Sequence, residues 1–365
     1  MTGCNGATAF FSASYSEARA KFLAAARGAG TVLESFRSPA LGAAGEALYT
    51  DAAWLGPLDA ERVLVTISST HGAEGFCGSA IQTGTLATGL ADELPPGIAT
   101  LAIHALNPFG FAWMRRVNEA NIDLNRNYVD HGGAYPVNGG YEALREAICP
   151  ASWDTPTLTR CRAAFDAFAA DHGAAALASA LTGGQYSDAQ GVFYGGTEPV
   201  WSRRILTEIL QRHCSQARHV AVIDLHTGLG SYGYGEVMND HEPHETGYGR
   251  INDWFAGEAT TFDGGTSSSA VTTGSTVMGV VRTLPQAEIS EITLEYGTVP
   301  FLAMVEAVRA DNWLHLHGDP ASDQGKAIKT QMRATFYPDG DDWKRMVWER
   351  AAEVQRRMAK GLGEA

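Results

Sequence analysis

The chain has few cysteines, a shortage of positive charge and no long apolar run, and these absences limit what it can be. Five cysteines occur among 365 residues, an odd number without C-x-x-C spacing. This usage is typical of reduced, structural thiols in a cytoplasmic protein, and Cys77 is expected to be a packing residue. No apolar run approaches the length needed to cross a bilayer. A disulfide scaffold and a membrane span are therefore not indicated.

Acidic residues outnumber basic residues, 41 to 27, and the formal net charge is -14. This imbalance argues against a surface for nucleic acid or for an anionic membrane, so neither is expected as a partner. The first thirty residues lack a basic segment followed by an apolar core, and no signal peptide is predicted. We expect a cytoplasmic protein. The sequence does not indicate an oligomeric state.

The rest of the composition, 45% hydrophobic and 19% charged, is that of an ordinary globular protein. Alternating strand and helix patterns predict the α/β class, and we expect a single domain over 1–365 with a helical insertion at about 132–214. A turn is expected at 107–110, after the fourth strand. Helices are predicted at 17–27, 76–86, 156–172, 198–212, 300–316 and 342–362. Strands are predicted at 31–36, 47–55, 63–67, 98–105, 219–225 and 291–297, the first two forming a hairpin.

A histidine and a glutamate follow the predicted strand 63–67. His71 and Glu74 lie three residues apart, between this buried strand and the next helix. Clefts form at the carboxyl ends of strands in open α/β sheets, and an imidazole and a carboxylate both suit zinc. The H-x-x-E spacing is weak evidence by itself, because a surface histidine beside a glutamate at a helix start gives the same pattern.

Two later strands also end at side chains that suit a metal centre. His226 follows the strand 219–225, and Glu295 falls at the carboxyl end of 291–297. With His71 and Glu74, His226 gives the short spacer and distant third ligand of a catalytic zinc site, in which zinc polarises a carbonyl and activates water. Glu295 is a candidate general base, and Glu291 is an alternative because it shares the same face of the strand.

The segment 115–128 is dense in arginine, asparagine and aspartate and is predicted to be a loop. Arg116, Asn125 and Arg126 are candidates to stabilise an oxyanion or to bind a substrate anion. Asp123 is available as the second hydrogen-bond partner of a ligating histidine. A solvated loop with surface salt bridges would have a similar composition.

Taken together, these elements resemble the zinc metallocarboxypeptidase family, whose type member is carboxypeptidase A. The resemblance rests on four elements in the family order, and it covers residues 71 to 295. A bacterial subgroup of that family, often labelled as a domain of unknown function, is the closer match, because the 185–196 loop and the ending Leu294-Glu295-Tyr296-Gly297-Thr298 are similar. The four elements are His71-x-x-Glu74, Arg116 before Asp123-Leu124-Asn125-Arg126-Asn127, His226 and Glu295.

The resemblance implies a fold and a set of roles. The fold would be a mixed, largely parallel eight-stranded sheet with helices on both faces. One zinc ion per chain would be held by His71, Glu74 and His226. Glu295 would act as general base and then acid, and Arg116 would stabilise the oxyanion unless Arg115 takes that role. The remaining implied roles are substrate carboxylate binding by Asn125 and Arg126, and orientation of His71 by Asp123.

These expectations describe a zinc-dependent hydrolase that cleaves a peptide or N-acyl amino acid amide next to a free carboxylate. An N-acyl-amino-acid deacylase of the aspartoacylase type and a non-catalytic zinc-containing module are the alternatives. Two loops are also left open. The loop 183–196 either walls a cleft or connects helices, and the loop 264–275 is either a lid or an ordinary exposed loop.

Overall fold

The computed structural model describes residues 4–261, 267–269 and 272–365. Within these residues eight strands form one sheet in the order β1-β2-β4-β3-β5-β8-β6-β7. The strands are Val32–Leu41 (β1), Ala47–Leu55 (β2), Arg62–Ser68 (β3), Ile98–His104 (β4), His219–Tyr232 (β5), Gly235–Asn239 (β6), Thr260–Thr261 (β7) and Glu288–Gly297 (β8).

The centre of the sheet is parallel and its flanks are mixed. Strands β4, β3, β5 and β8 are neighbours and run in one direction, whereas β1 and β2 form the predicted antiparallel hairpin at one edge. In register, Ile67 lies opposite Asp224, and His226 lies opposite Glu295. The carboxyl ends of β3, β5 and β8 therefore meet at one edge of the sheet, as the α/β prediction requires.

Helices cover both faces of the sheet. Leu64 and Ile223 belong to a core cluster with residues of the helices 75–87 and 341–364, whereas Val65 and Val222 belong to a cluster with the helix 201–214. Successive strand residues point to opposite faces, so near-continuous apolar strands bury both sides. The predicted mixed, largely parallel eight-stranded sheet with helices on both faces is confirmed.

The helices begin and end where local chemistry allows. Ser14 caps the first helix by accepting a hydrogen bond from Glu17 N, and Asp154 caps another by accepting from Thr157 N. The twelve described helices are Tyr15–Gly28 (α1), Gly75–Ala87 (α2), Pro108–Trp113 (α3), Gly139–Ile148 (α4), Thr155–His172 (α5), Ala174–Thr182 (α6), Trp201–Cys214 (α7), Thr246–Trp254 (α8), Thr276–Thr283 (α9), Phe301–His317 (α10), Asp323–Phe336 (α11) and Asp341–Glu364 (α12).

The segment expected to be an insertion contains α4 to α7. Helices α4, α5 and α6 form a third apolar cluster with α10 and α11, through Tyr141, Phe165, Leu177, Met304 and Met332. Each fully buried large apolar side chain of such a cluster contributes about 1.5–3 kcal/mol relative to exposure. These helices are thus held against the rest of the protein by a core of their own.

Two sequence expectations were wrong in detail, and several elements were not predicted. Strand β5 does not end at residue 225 but continues to Tyr232, so His226 lies within it; the neighbouring β8 keeps pairing with it as far as Gly297. The segment expected to be a turn at 107–110 begins α3, because Asn107 caps the helix by accepting from Gly110 N and Pro108 suits the first turn. Strands β6 and β7 and helices α4, α6, α8, α9 and α11 were not predicted.

Candidate metal centre and cleft

The turn from β3 into α2 is built so that it can approach the segment carrying Arg116. Gly72 N donates a hydrogen bond to Arg116 O at 3.1 Å. A Cβ at residue 72 would lie 2.0 Å from the Gly110 carbonyl carbon, so only glycine permits this contact. The backbone itself therefore places Arg116 beside the turn 71–74.

His71, Glu74 and His226 meet in a tight triangle, as the sequence predicted. The two Nδ1 atoms lie 3.1 Å apart, Glu74 Oε1 is 2.8 Å from His71 Nδ1, and Glu74 Oε2 is 2.9 Å from His226 Nδ1. Among the described residues this is the one group of three or more such side chains that could hold a metal ion. Zinc–nitrogen bonds of about 2.0–2.1 Å place neighbouring tetrahedral donors about 3.3 Å apart, so the triangle fits zinc closely.

The electrostatics of the triangle also favour a cation. Glu74, Asp123 and Asp224 are buried carboxylates, and the buried guanidinium of Arg116 is the cation among them. Burial would raise the pKa of Glu74, but the two adjacent imidazoles outweigh it and hold the pKa below its usual range. When both imidazoles are neutral, as metal ligation requires, the three carboxylates outnumber the guanidinium, and a divalent metal ion would neutralise the excess negative charge.

Asp123 contacts the outer nitrogen of His71. Its Oδ1 lies 3.1 Å from His71 Nε2, and its Oδ2 accepts a hydrogen bond from Arg116 Nε at 2.8 Å. Burial opposes its ionisation, but Arg116 and then His71 hold the pKa of Asp123 well below its usual value. An ionised acceptor on Nε2 leaves Nδ1 facing the triangle, which is the arrangement that metal-binding histidines commonly show.

Asp224 lies beside the outer nitrogen of His226, as Asp123 lies beside that of His71. The sequence analysis did not identify Asp224. Its Oδ2 lies 3.0 Å from His226 Nε2, and Thr70 Oγ1 donates to its Oδ1 at 2.8 Å. Burial would lower the pKa of His226, but Asp224 and Glu74 raise it well above its usual value. The signal was present in the sequence, because residues 224 and 226 lie two apart on a strand and share a face.

The structure distinguishes the two adjacent arginines. Arg116 lines the cleft, with Nη2 2.7 Å from His71 Nε2 and Nη1 3.5 Å from Glu74 Oε1. Arg115 instead donates to Asp311 and Asn121. Of the two guanidinium groups, that of Arg116 is the one placed beside the triangle.

The structure also distinguishes the two candidate glutamates of β8. Glu295 lines the cleft, and its Oε1 accepts a hydrogen bond from Leu229 N at 2.9 Å. Burial and the charge of Glu74 raise the pKa of Glu295 to about 8. Glu291 is buried and is absent from the cleft lining, and its backbone N–H donates to His241 Nε2. Glu295 is therefore the β8 carboxylate that a ligand in the cleft meets.

Asn125 and Arg126 form another part of the cleft wall. Asn125 Oδ1 accepts from Thr276 N at 2.8 Å, which fixes its amide against the start of α9. Arg126 is buried, and it donates to Asn125 O at 2.8 Å and to Thr182 O at 2.6 Å. The ring of Phe193 packs against both arginines of the wall. Its centroid lies 4.9 Å from Arg116 Cζ and 5.9 Å from Arg126 Cζ. One hydrogen on each terminal nitrogen of Arg126 is left after these two bonds.

The two loops whose roles the sequence left undecided, 183–196 and 264–275, both contribute described residues to the cleft wall. Phe193 brings the loop 183–196 into the wall, so this loop does more than connect helices. In the loop 264–275, residues 264–266, 270 and 271 lie outside the described residues. Ser275 lines the cleft and also caps α9 by accepting from Met278 N.

Two other histidine groups, at 241–245 and 315–317, have partners that account for them. His241 Nδ1 lies 3.2 Å from Glu245 Oε2, and His315 Nε2 lies 2.9 Å from Lys329 Nζ. The four cysteines whose side chains are described are free, and Cys77, Cys161 and Cys214 are buried. Among the described residues, no helix has the length and apolar character needed to cross a membrane.

Comparison with solved structures supports the fold. Thrombin activatable fibrinolysis inhibitor (TAFI) matches with a TM-score of 0.50 and 11% identity, over 96% of this chain and 74% of that one. A metallo-carboxypeptidase from Burkholderia cenocepacia matches with a TM-score of 0.37 and 12% identity, over 92% and 69%. A protein from Shewanella amazonensis SB2B, provisionally assigned to the succinylglutamate desuccinylase / aspartoacylase family, gives 0.37 and 17%, over 73% and 66%. At 11% identity the likeness to TAFI concerns the fold alone.

A search of curated proteins found no match. A family model described as a protein of unknown function, DUF2817, matches residues 11–350. This agrees with the domain-of-unknown-function label that the sequence motifs suggested. Because the match extends over nearly the whole chain, the protein belongs to the DUF2817 family.

Proposed function

We propose that this protein is a metal-dependent hydrolase, with zinc as its metal, that cleaves an amide bond next to a free carboxylate. The observation that carries the proposal is the triangle of His71, Glu74 and His226, which borders a cleft also lined by Glu295, Arg116 and Arg126. These side chains combine a metal centre, a buried base and two cations in one cavity. A zinc ion held there would supply Lewis acidity to the scissile carbonyl and to water.

The two arginines would bind different negative charges of the substrate. Arg116, beside the triangle, is placed to stabilise the negative charge that develops on the carbonyl oxygen. Arg126 keeps one donor on each terminal nitrogen and Asn125 keeps its amide NH2 group for the carboxylate of the substrate. The hydrogen bonds that Arg126 makes to backbone carbonyls hold the guanidinium in place before the substrate arrives, which lowers the entropic cost of binding.

Glu295 would move the proton. It accepts a proton from the attacking water and returns it to the leaving amine, so the same carboxyl serves as base and then acid. Burial and the charge of Glu74 raise the pKa of Glu295, which makes its carboxylate a stronger base towards the proton of the attacking water. The hydrogen bond from Leu229 N fixes one of its oxygens and orients the other.

Two substrate classes fit the proposal, and they differ in the acyl group on the other side of the scissile amide. A peptide and an N-acyl amino acid both carry an amide beside a carboxylate, so a carboxypeptidase and a deacylase of the aspartoacylase type would both use Arg126 in this way. A screen of blocked dipeptides against N-acetyl amino acids distinguishes the two. A protein that binds zinc but hydrolyses neither class would instead be a binding module.

The role of Arg126 gives the proposal its sharpest test. We expect substrates with a free carboxylate to be hydrolysed far faster than the same substrates with that group amidated, because the amide leaves a buried guanidinium unpaired, a mismatch that costs several kcal/mol. Arg126→Ala should reduce kcat/KM for the acid much more than for the amide. If both fall equally, Arg126 only braces its loop, and an amidase that ignores the terminus replaces the proposal.

A further inference from the structure

Another part of the cleft wall is formed where β6 ends beside β8. Asp240 directly follows β6 and lines the cleft together with Met238 and Thr293. Thr293 lies two residues before Glu295 on β8, so the two side chains share a face of the strand. Met238 and Thr293 are opposite each other in register. Asp240 is therefore held at the same cavity as the candidate base.

One oxygen of Asp240 is fixed and the other is unpaired. Thr293 Oγ1 donates to Oδ2 at 2.8 Å. Oδ1 is shielded from solvent, and among the described residues no donor lies within hydrogen-bond distance of it. Buried carboxylate oxygens are nearly always satisfied, so an unpaired one in a substrate cleft calls for a partner that the protein itself does not supply.

The charges around Asp240 make that partner a cation. No ion pair joins Asp240 to a lysine, arginine or histidine of the described chain. Burial, together with the nearby charge of Asp224, raises the pKa of Asp240 to about 7 although Thr293 and His226 oppose the rise. Asp240 in turn helps to raise the pKa of the buried Glu291. This part of the cleft thus has an excess of acidic groups, whereas Arg116 and Arg126 make other parts of the wall basic.

We infer that Asp240 selects substrates whose carboxylate-bearing residue has a side chain ending in a cationic nitrogen, such as lysine, ornithine or arginine. The inference rests on the proposed function, because it assigns the opposite charges of one substrate residue to two places in one cleft. The carboxylate of that residue pairs with Arg126 and Asn125. Its side-chain nitrogen pairs with the carboxylate of Asp240, which Thr293 keeps oriented.

The test compares two substrates of equal length that differ at one atom. N-benzoylglycyl-lysine carries the cationic nitrogen, and N-benzoylglycyl-norleucine has a methyl group in its place; the matched N-acetyl amino acids serve if the enzyme is a deacylase. We expect the zinc-loaded protein to favour the lysine substrate in kcat/KM by roughly tenfold to a hundredfold, as expected for a charge-assisted hydrogen bond in a buried site. Asp240→Asn should bring the ratio near one by slowing the lysine substrate, since asparagine still accepts from Thr293.

A matched control separates a specific contact from a general effect of charge. Glu242 is another acidic residue of the cleft lining, and Glu242→Gln removes the same charge without touching Asp240. Its lysine-to-norleucine ratio should stay close to that of the unmodified protein. Because each ratio is measured within one variant, a loss of folded protein cannot change it. An unchanged ratio in Asp240→Asn, or an equal fall in both variants, overturns the inference.

Calorimetric binding of free L-lysine and L-norleucine separates this inference from the proposed function. Preferential binding of lysine that disappears in Asp240→Asn supports the inference even if no amide is hydrolysed, in which case the proposed function fails alone. Hydrolysis without preference for lysine leaves the function and overturns the inference. A substrate with citrulline in place of arginine completes the set, because equal turnover of the two would show that Asp240 reads a neutral donor and would overturn the cation assignment.

Discussion

Two buried histidine clusters of this protein contain similar side chains but have opposite chemistry. At the carboxyl edge of the sheet, His71 and His226 meet Glu74 and border the cleft. In the core, His104 Nε2 lies 2.8 Å from Ser79 Oγ, and its Nδ1 lies 4.0 Å from Asp51 Oδ2. The second cluster has the residue types of a Ser-His-Asp triad, yet none of its members belongs to the cleft lining.

The difference comes from access and from the partners of the carboxylate. Asp51 is paired with Arg19 at 2.7 Å, and the ring of Phe22 stacks on His104 at 4.3 Å. Burial lowers the pKa of His104 to about 4, so this imidazole stays neutral. The pKa of His226 is raised because two buried carboxylates, Asp224 and Glu74, lie against its ring and outweigh the effect of burial. A histidine beside a carboxylate is thus a candidate metal ligand only when a cavity reaches it. The charge of the neighbouring carboxylates must also be left to attract a cation.

The comparison predicts first that only one cluster holds metal. His71→Ala and His226→Ala should lose most of the bound zinc and all measurable hydrolysis, because two remaining ligands do not make a catalytic zinc site. His104→Gln should keep about one zinc per chain. Metal analysis of the purified variants, with circular dichroism as a check on folding, measures the difference. Full zinc content in both alanine variants would place the metal elsewhere.

A smaller effect is expected one contact further from the metal. Asp224→Asn should weaken zinc binding by roughly tenfold to a hundredfold, because the carboxylate 3.0 Å from His226 Nε2 loses its charge. Asp51→Asn removes the carboxylate of the other cluster and should leave zinc affinity unchanged while lowering the stability of the fold. Competition with a chelator of known affinity measures both. Equal affinity in the two variants would reduce Asp224 to a packing residue.

The smallest effect concerns pH and stability. His104 has a folded pKa of about 4 against a reference value of 6.5. Between these values the unfolded chain binds more protons than the folded chain, so the stability that neutral His104 provides is complete above about pH 6.5 and is lost as pH falls towards 4. At 1.36 kcal/mol per pKa unit this loss amounts to about 3 kcal/mol.

His104→Gln removes that titration, so its free energy of unfolding should decline less steeply over the same window. Urea unfolding of the metal-free proteins at pH 7, 5.5 and 4.5 gives the two slopes. Parallel curves would mean that His104 is already accessible to protons in the folded state.

The sequence predicted the sheet and the triangle well because both rest on local signals. Apolar runs of five and eight residues predicted β3 and β4 within a residue or two, and His71 and Glu74 follow the first of these runs. The end of β5 was misplaced because it depends on how far β8 continues to pair with it, which is a contact between distant segments. Strand β7 has two residues, too few for any periodicity.

The roles of neighbouring residues could not be read from the sequence, because they too depend on contacts between distant segments. Arg115 and Arg116 are chemically identical in the sequence, and their side-chain partners in the fold, Asp311 for Arg115 and Asp123 for Arg116, distinguish the one that reaches the triangle. Asp240 lies in a region without a recognisable motif, and its unpaired oxygen becomes visible only when its surroundings are known. Local patterns therefore identified the candidate ligands, while partner choice and charge balance came from the fold.

The central claim is that the triangle holds a catalytic metal and that Glu295 acts beside it. The most direct test removes the metal, adds zinc back in known amounts, and follows bound zinc and hydrolysis in the unmodified protein and in Glu295→Gln. We predict that hydrolysis returns in proportion to bound zinc and saturates at about one per chain. Glu295→Gln should bind the same zinc but hydrolyse roughly a hundredfold or more slowly. Full activity of the metal-free protein, or of Glu295→Gln, would contradict the account.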